Sequence, residues 1–369
     1  MARAMQAETL PDAAAARAYY DARYAAGYMD RWEAERHDRL REVLATIQLP
    51  ARPRILDYGC GSGSLTALLA ACWPDAQVVG VDVSATAVAH ARQRQPDPRL
   101  QFATLDAAFG REAAGTFDFV FSHHVLEHVF DLDASLAELA RLLAPSGRML
   151  HVLPCGNAGS FSHWLCQHRP DGIDAAAGHR FYFEEPSHLR RLRSDELAAR
   201  FAAHGVALQT AWFGYHWLGA VRLFTELSPR DLLVALDPRP WRRASWPWWL
   251  PVACGLLLLC ALRAPAQVLV RVRRLWQQAT RLRTRRLGEP RSLCLLALAV
   301  PALCLWPVSW LVESAVRALD HREWRRRRRD PRGTEMLLTF TRQPAADPAT
   351  PAPLRQPAAT AGPALATVR

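Results

Sequence analysis

The chain has 369 residues, of which 50% are hydrophobic and 22% are charged, and its formal net charge is +11. This length exceeds that of one small domain and allows a domain of about 200 to 250 residues together with a further segment. Eight cysteines form no Cys-x-x-Cys pair, which argues against a disulfide framework and for a reduced, cytoplasmic protein. The N-terminus shows no apolar core of signal-peptide length, so we expect the main domain to stay in the cytosol.

The positive charge is concentrated in one part of the chain. Residues 220–333 contain 22 arginines and 8 acidic residues, whereas the remainder of the chain is slightly acidic. The basic character therefore belongs to a single segment and not to the whole protein.

A helical segment at residues 13–47 opens the predicted structure. Tyr20, Tyr24 and Tyr28 recur at every fourth position and lie on one face of the predicted helix. Such an aromatic stripe packs on the adjacent domain, or it covers a ligand there.

A glycine-rich turn at residues 54–63 joins a short buried strand to a helix. Gly59, Gly61 and Gly63 let a ligand approach the backbone, and the following helix directs its free N–H groups at that position. The spacing G-x-G-x-G differs from the dinucleotide fingerprint G-x-G-x-x-G. Asp57 would repel a phosphate but suits a ligand with a positive amino group, which favours S-adenosylmethionine.

Four further strands are predicted, and helical patterns separate them. Residues 77–84 close on Asp82, which can accept hydrogen bonds from both hydroxyls of a ribose. Residues 100–107 form a third strand ending on Asp106, which can accept from an adenine amino group. Residues 117–122 and 147–154 are the fourth and fifth strands, so the pattern predicts a parallel α/β sheet with right-handed crossovers.

These motifs together resemble those of class I S-adenosylmethionine-dependent methyltransferases, in the branch that methylates small molecules, quinones and lipids. The resemblance covers about residues 15–212 and rests on L-D-Y-G-C-G-S-G, V-D-V-S, L-D-A, F-D-F-V-F-S-H-H-V-L-E-H-V and L-A-E-L-A-R-L-L-A-P-S-G-R-M-L. It implies a Rossmann-like seven-stranded sheet, S-adenosylmethionine as cofactor, and an N-terminal helical lid. The cofactor-binding residues that follow are Asp57, Gly59, Gly61, Gly63, Asp82, Asp106 and Ala107.

Histidines after the fourth strand are the candidate catalytic groups. The cluster contains His123, His124, Glu127 and His128, and we expect His123 or His128 to act as a base, with His179 behind them. A purely structural role for each histidine remains the alternative. The spacing H-x-x-E-H occurs in some zinc peptidases, but that motif needs a helix, so no metal is predicted. His179 belongs to an aromatic region, residues 155–190, that suits an apolar acceptor.

A long insertion separates the last two strands. Residues 205–212 and 334–342 are predicted as strands six and seven, and in this fold the seventh strand runs antiparallel between the fifth and sixth. Residues 213–333 therefore form an insertion. It holds two uncharged runs, 244–262 and 292–312, each near the length that spans a bilayer.

A basic amphipathic helix is predicted between the two uncharged runs, and it suits an anionic leaflet. Two spanning helices would place its arginines across the membrane from the enzyme domain, against the positive-inside rule. We therefore expect a hairpin that enters the cytoplasmic leaflet and returns. Two transmembrane helices are the second possibility, and buried core helices of a soluble lid are the third.

Five consecutive arginines, residues 325–329, offer either phosphate contacts to RNA or contacts to lipid head groups. The neighbouring apolar runs favour lipid, so nucleic acid is not the expected partner. The predicted organisation is a lid (1–47), a methyltransferase core (48–212), a membrane-associating insert (213–333), a last core strand (334–342) and a disordered tail (343–369).

The sequence therefore predicts a membrane-associated methyltransferase that transfers the methyl group of S-adenosylmethionine to a lipid-like or amphipathic small molecule. Two alternatives stay open: an RNA methyltransferase that uses the basic insert, and a membrane adaptor that binds the cofactor without catalysis. The identity of the acceptor and the oligomeric state do not follow from the sequence.

Overall fold

The computed structural model describes most of the chain, namely residues 10–27, 38–108, 112, 114–176, 178–185, 187–225, 232, 236–282, 294 and 296–342. Tyr28 and the proposed tail lie outside the described residues. The strands are β1 (Arg54–Tyr58), β2 (Gln77–Asp82), β3 (Leu100–Thr104), β4 (Phe117–His123), β5 (Leu143–Pro154), β6 (Ile173–Asp174), β7 (Arg180–Phe181), β8 (Val206–Gly214) and β9 (Glu335–Arg342).

Helices cover both faces of the main sheet and continue into the inserted segment. They are α1 (Ala13–Ala25), α2 (Asp38–Leu44), α3 (Ser64–Cys72), α4 (Ala85–Arg94), α5 (Leu105–Ala108), α6 (Leu132–Leu142), α7 (Phe161–Gln167), α8 (Ser194–Ala202), α9 (Leu218–Phe224), α10 (Trp246–Leu282) and α11 (Ala299–Arg327). A 3₁₀ turn, Leu126–His128, follows β4.

The main sheet has seven strands in the order β3-β2-β1-β4-β5-β9-β8. Strands β1 to β5 pair in parallel, while β9 runs antiparallel to both of its neighbours, β5 and β8. This order confirms the predicted Rossmann-like methyltransferase sheet, including the reversed last strand. Glu335 pairs with both Pro154 and Gly214, so the chain leaves and re-enters the sheet at the carboxyl ends of its parallel strands.

Apolar residues from both faces of the sheet form its core. One cluster packs β1, β2, β4 and β9 against α6 and α8, with Leu136, Leu139, Leu197 and Phe201 fully buried. A second cluster packs the opposite face against α2 and α3. The strands are buried on both faces, which explains their nearly continuous apolar sequences.

The predicted third strand is too long. It ends at Thr104, and the following residues Leu105–Ala108 turn into the short helix α5, so Asp106 lies in a helical turn and not on a strand. Leucine and alanine are good helix formers, and an aspartate in the first turn interacts favourably with the helix dipole. These local preferences favour a helical turn at residues 105–108 over a longer third strand.

The insertion contains two long helices that pack antiparallel. The guanidinium of the buried Arg263 on α10 donates to both carboxylate oxygens of Glu313 on α11, at 2.7 and 3.1 Å. Nearby, the Ala266 amide donates to Ser309 Oγ at 2.9 Å. Residue numbers therefore rise along α10 as they fall along α11.

The predicted amphipathic helix is not a separate element. It continues α10 directly from the first uncharged run, and the helix contains Pro251 and Pro265. Ser309 Oγ also donates to the Arg263 carbonyl at 3.2 Å, so a neighbouring side chain satisfies backbone groups beside Pro265. The sequence pattern showed prolines but not this supporting contact.

The C-terminal half of α11 is attached to the core. Trp324 Nε1 donates to Glu42 on α2 at 2.7 Å, and Asp320 accepts from Arg39 on α2 and from Arg222 on α9. The Glu323 carboxylate accepts from the backbone amides of residues 217–219 at 2.9 to 3.1 Å, which caps the start of α9. These contacts place the insert over the carboxyl edge of the sheet.

Candidate active site

A cavity of about 1850 Å³ lies at the carboxyl edge of the sheet. One end is lined by the glycine-rich loop after β1, and the other end is lined by residues of α10 and α11. A site for one small ligand typically measures about 300 to 1,000 Å³. The cavity is therefore large enough for a cofactor and a second molecule.

The glycine loop needs glycine at each of its three predicted positions. Gly59, Gly61 and Gly63 have φ angles of +81°, +52° and +80°, a region that L side chains rarely adopt. A Cβ at Gly59 would lie 2.3 Å from a methyl group of Val125, and one at Gly61 would lie 2.5 Å from the hydroxyl of Tyr24. The loop is tightly enclosed, and a larger residue would displace its neighbours.

Asp57 is buried at the end of β1 and accepts a hydrogen bond from Thr66 Oγ1 at 2.6 Å. Burial raises the pKa of this carboxyl to about 7, although the Thr66 hydroxyl opposes the shift. A cation beside it would favour the ionised form. The site therefore fits the amino group of S-adenosylmethionine.

Asp82 ends β2 on the other side of the glycine loop. One carboxylate oxygen accepts from the Gly61 amide and the other from the Ser84 amide, both at 2.9 Å. These bonds fix the carboxylate in one orientation and leave further lone pairs for ligand hydroxyls. The geometry fits the predicted contact with a ribose.

Asp106 is exposed and forms an ion pair with Arg17 of α1 at 2.6 Å. Leu105, immediately before it, lines the cavity. Ala107 follows in the same helical turn. The proposed roles of Asp106 and Ala107 at the adenine remain predictions.

The first helix covers the cavity and contacts three of its walls. Asp21 of α1 accepts from the Ser84 hydroxyl and from the Thr86 amide at the start of α4. Arg23 pairs with Glu185 at 2.6 Å, on the loop that follows β7. Tyr24 also packs against Gly61, so α1 lies over the glycine loop, and the lid role of residues 1–47 remains a prediction.

His124 is held between two carboxylates and not directed at a substrate. Its Nδ1 lies 3.1 Å from Glu127, its Nε2 lies 3.2 Å from Glu335, and its φ angle is +54°. These carboxylates raise the pKa of His124 to about 10 in spite of its burial. The protonated ring therefore joins the end of β4 to the start of β9.

His128 is fixed through one ring nitrogen, its Nε2 lies 3.9 Å from the Glu127 carboxylate, and its role as a base remains a prediction. Its Nδ1 lies 2.9 Å from the Ser187 carbonyl, which can only accept, and 3.0 Å from the Tyr20 hydroxyl of α1. The proton therefore lies on Nδ1, and Nε2 keeps the basic lone pair. Burial lowers the pKa of His128, so the neutral imidazole dominates at neutral pH.

The other two predicted bases occupy different surroundings. His123 lines the cavity at the end of β4, where its ring centroid lies 4.6 Å from that of His124. His179 is exposed in the turn before β7, with a φ angle of +60°. Because its side chain is exposed and does not line the cavity, His179 lies on the surface and not behind the other histidines.

Sequence reasoning missed two residues that the fold brings into the site. His188 lines the cavity with its ring centroid 4.7 Å from that of His128, and Glu335 reaches the site from the far side of the insertion. His188 was one of several loop histidines with no distinguishing pattern. The position of Glu335 could have been predicted from the sequence, because the first residue of the reversed strand must lie at the carboxyl edge of the sheet.

Among the residues that the structure describes, two groups of side chains have the donor types of a metal site. His123, His124 and Glu335 each offer one ligand atom within 4.8 Å of the others, as do Glu127, His128 and His188. In the first group, His124 Nε2 faces Glu335, while its Nδ1 faces Glu127 of the second group. The expected absence of a metal stays a prediction.

Comparisons with known proteins agree with a methyltransferase fold. A family model described as a methyltransferase domain matches residues 29–210. Trans-aconitate 2-methyltransferase of Methylobacterium radiotolerans is 40% identical over 124 residues, which are 34% of this chain and 46% of the relative. The corresponding protein of Azoarcus sp. is 37% identical over 136 residues, 37% of this chain and 52% of the relative. This chain thus spans about half the length of the curated relatives it matches.

A solved S-adenosylmethionine-dependent methyltransferase from Mesorhizobium loti has a TM-score of 0.38 and 19% sequence identity. The similarity covers 52% of this chain and 91% of that structure. The strand order of the present chain, and not this overall similarity, defines its fold.

We expect Gly61→Ala to weaken binding of S-adenosylhomocysteine at least tenfold, because the added methyl group would collide with the Tyr24 hydroxyl and displace the lid. Isothermal titration calorimetry measures the effect. Gly205→Ala is the matched control, since Gly205 also has a positive φ angle but no atom within 4 Å of an added Cβ. Equal affinity of the two variants for S-adenosylhomocysteine would contradict the proposed binding site of the cofactor.

Proposed function

The chain contains a class I S-adenosylmethionine-dependent methyltransferase domain, and from this premise we propose that it methylates an amphipathic small molecule at a membrane surface. The observation that carries the proposal is the single cavity that joins the glycine loop to the inserted helices. Through this cavity, an acceptor that enters beside the insert can reach the glycine loop.

Exposed apolar side chains on the insert support membrane association. Two described helical segments, Arg243–Arg273 and Ala299–Arg327, are long and apolar enough to cross a membrane. On α11, Val300, Leu303 and Leu311 are 68%, 61% and 63% exposed, and Trp306, Val308 and Trp310 are also exposed. A helix that is apolar around most of its circumference needs a nonpolar environment. Because so little of either helix is buried, the interpretation as core helices of a soluble lid is disfavoured.

The helix register favours insertion along the surface over a spanning hairpin. The pairs Arg263 with Glu313 and Ala266 with Ser309 place the apolar start of α11 beside the basic part of α10. The two apolar runs therefore lie end to end and extend for about 45 Å, at 1.5 Å per residue. The hydrocarbon core of a bilayer is only about 30 Å thick. A helix pair lying in the cytoplasmic leaflet fits this length.

The arginine run at residues 325–329 gives little support to an RNA-binding role. Arg327 pairs with Asp330 at 2.8 Å, Arg328 pairs with Glu42, and Arg329 donates to the Ala211 carbonyl at 3.0 Å. Two of these guanidiniums, those of Arg328 and Arg329, therefore hold the end of α11 against the core, and that of Arg327 is neutralised by its neighbour Asp330. The remaining basic side chains suit the anionic head groups of a nearby leaflet.

The mechanism requires the chain to hold an acceptor in line with a methyl group. Bound S-adenosylmethionine supplies that methyl on a sulfonium, which is a good leaving group. Asp57 and Asp82 would hold the cofactor at its two polar ends, and α1 would exclude water above it. His128 Nε2 would take the proton of the acceptor, while Tyr20 and the Ser187 carbonyl hold the ring through Nδ1.

A soluble organic acid is the second candidate acceptor. The curated relatives are named as trans-aconitate methyltransferases, and arginines line part of the present cavity. That candidate leaves the exposed apolar helices unexplained. A cofactor-binding adaptor without catalysis would show no dependence on His128.

We expect the rate of methyl transfer to host lipid extract to be flat from pH 7 to 8 and to fall as the pH drops below 6.5. Burial lowers the pKa of His128 below the usual value for histidine, so the neutral imidazole that can accept a proton is lost only at acidic pH. His128→Gln should reduce the rate about a hundredfold or more from pH 7 to 8, a typical loss for a general base, and the deficit should shrink in acid, while S-adenosylhomocysteine still binds.

His204→Gln serves as the control for this experiment, because His204 is exposed beyond α8. The pH profile of His123→Gln separates the two candidate bases. The assignment of His128 as the base is wrong if His123→Gln abolishes methyl transfer while His128→Gln keeps both the transfer and its decline at acidic pH.

We expect the full-length chain to sediment with vesicles that contain phosphatidylglycerol. A triple variant that replaces Val300, Leu303 and Leu311 with aspartate should lose most of this binding, because charged groups resist burial in the apolar layer. Leu208→Asp is the control, since Leu208 is an exposed residue of strand β8 in the core. Unchanged sedimentation of the triple variant would contradict the membrane contact.

A further inference from the structure

We infer that the part of the cavity beside the insert is the binding site for the acceptor, and that the acceptor is an anionic amphiphile that enters from the membrane. This inference rests on the proposed function and specifies its substrate class. We call this part of the cavity the insert arm. Its walls are formed by Leu223, Arg263, Gln267, Val270, Arg271 and Arg317.

The insert arm is connected to the chemistry at its inner end. Tyr215, Glu335 and Leu337 line the cavity between the insert and the end of β4, where His123 and His124 lie. Tyr215 follows β8 with a φ angle of +54°, which turns the chain from the sheet into the insert. A molecule in the insert arm can therefore extend one end to the histidines without leaving the protein.

The outer end of the insert arm reaches the apolar surface. Val270 and Arg271 of α10 line this end, and both are exposed. Extending the register of Ala266 with Ser309 by one helical turn places Val270 beside Leu305 and Trp306 of α11. Those two side chains are 56% and 45% exposed. The opening therefore lies next to the surface that we assign to the lipid.

The chemistry of the walls selects the class of ligand. Among the described lining residues of the insert arm and its junction with the core, four are arginines and two are glutamates: Arg39, Arg263, Arg271, Arg317, Glu313 and Glu335. Leu223, Val270 and Leu337 supply apolar wall. Arg263 and Arg317 share the single carboxylate of Glu313, and Arg39 pairs with Asp320, so the passage keeps an excess of positive charge. This excess, with the aliphatic sides, matches a phosphate or carboxylate head attached to a hydrocarbon tail.

The cavity volume independently supports two occupants. The volume of about 1850 Å³ exceeds what a cofactor beside Asp57 and Asp82 requires. The surplus lies toward α10 and α11, because residues of both helices belong to its lining. The head group would enter first, and the tail would remain beside α11.

The test measures binding of monododecyl phosphate to the full-length chain saturated with S-adenosylhomocysteine, by isothermal titration calorimetry below the micelle concentration. Val270→Trp narrows the outer opening and should weaken binding at least tenfold. Leu258→Trp is the matched control on the same helix, because Leu258 is 62% exposed and does not belong to the lining of the cavity. Gln267→Trp provides a second block deeper in the passage.

Two further ligands define the chemistry. Dodecanol, which lacks the anion, and inorganic phosphate, which lacks the tail, should each bind at least tenfold more weakly than monododecyl phosphate. Equal binding of either ligand would overturn the amphiphile assignment, as would equal affinity of Val270→Trp and Leu258→Trp.

Methyl transfer to host lipid extract distinguishes failure of this inference from failure of the proposed function. If transfer occurs and Val270→Trp slows it no more than Leu258→Trp does, the insert arm is not the acceptor site. In that case this inference is wrong, and the proposed function is unaffected. If both blocking variants abolish amphiphile binding but the wild type transfers no methyl group, the binding site stands and the catalytic proposal falls.

Discussion

The antiparallel return of β9 between β5 and β8 is the constraint on which the arrangement of this protein depends. Because Glu335 pairs with Pro154 and Gly214, everything inserted between β8 and β9 must start and finish at the carboxyl edge of the sheet. Ligands of open α/β sheets bind at this same edge. The topology alone therefore places the inserted helices over the cofactor loops, and it brings Glu335 to His124. Tethers from α11 to α2 and α9 then fix the orientation.

The lid and the insert enclose the site from two sides. Helix α1 contacts the ribose side through Asp21, the glycine loop through Tyr24 and His128 through Tyr20. Helices α10 and α11 close the opposite side with arginines and aliphatic groups. The pair of Arg263 and Glu313 holds these two helices in register, and removal of Glu313 would leave the buried Arg263 guanidinium without its carboxylate. One cavity thus has a polar, cofactor-binding end and an amphipathic end.

The sequence predicted the features that local patterns encode. The individual parallel strands, the glycine turn, Asp57 and Asp82 follow from apolar periodicity and turn chemistry. The reversed last strand followed from the resemblance to class I methyltransferases, and the sheet confirms the fold. Features that depend on tertiary contacts were missed. His188 and His179 look alike in sequence, yet His179 is exposed while the chain after β7 brings His188 beside His128. The continuity of α10 past Pro265 likewise depends on Ser309, which lies far away in the sequence.

The most direct test of this account is to incubate the full-length protein with S-adenosylmethionine carrying a tritiated methyl group and with membranes of its host. Organic extract, RNA and protein are then counted separately. The account predicts label in the organic extract that Asp82→Ala abolishes, since Asp82 is the fixed carboxylate of the cofactor site. Label in RNA, or no label in any fraction although S-adenosylhomocysteine binds, would contradict it.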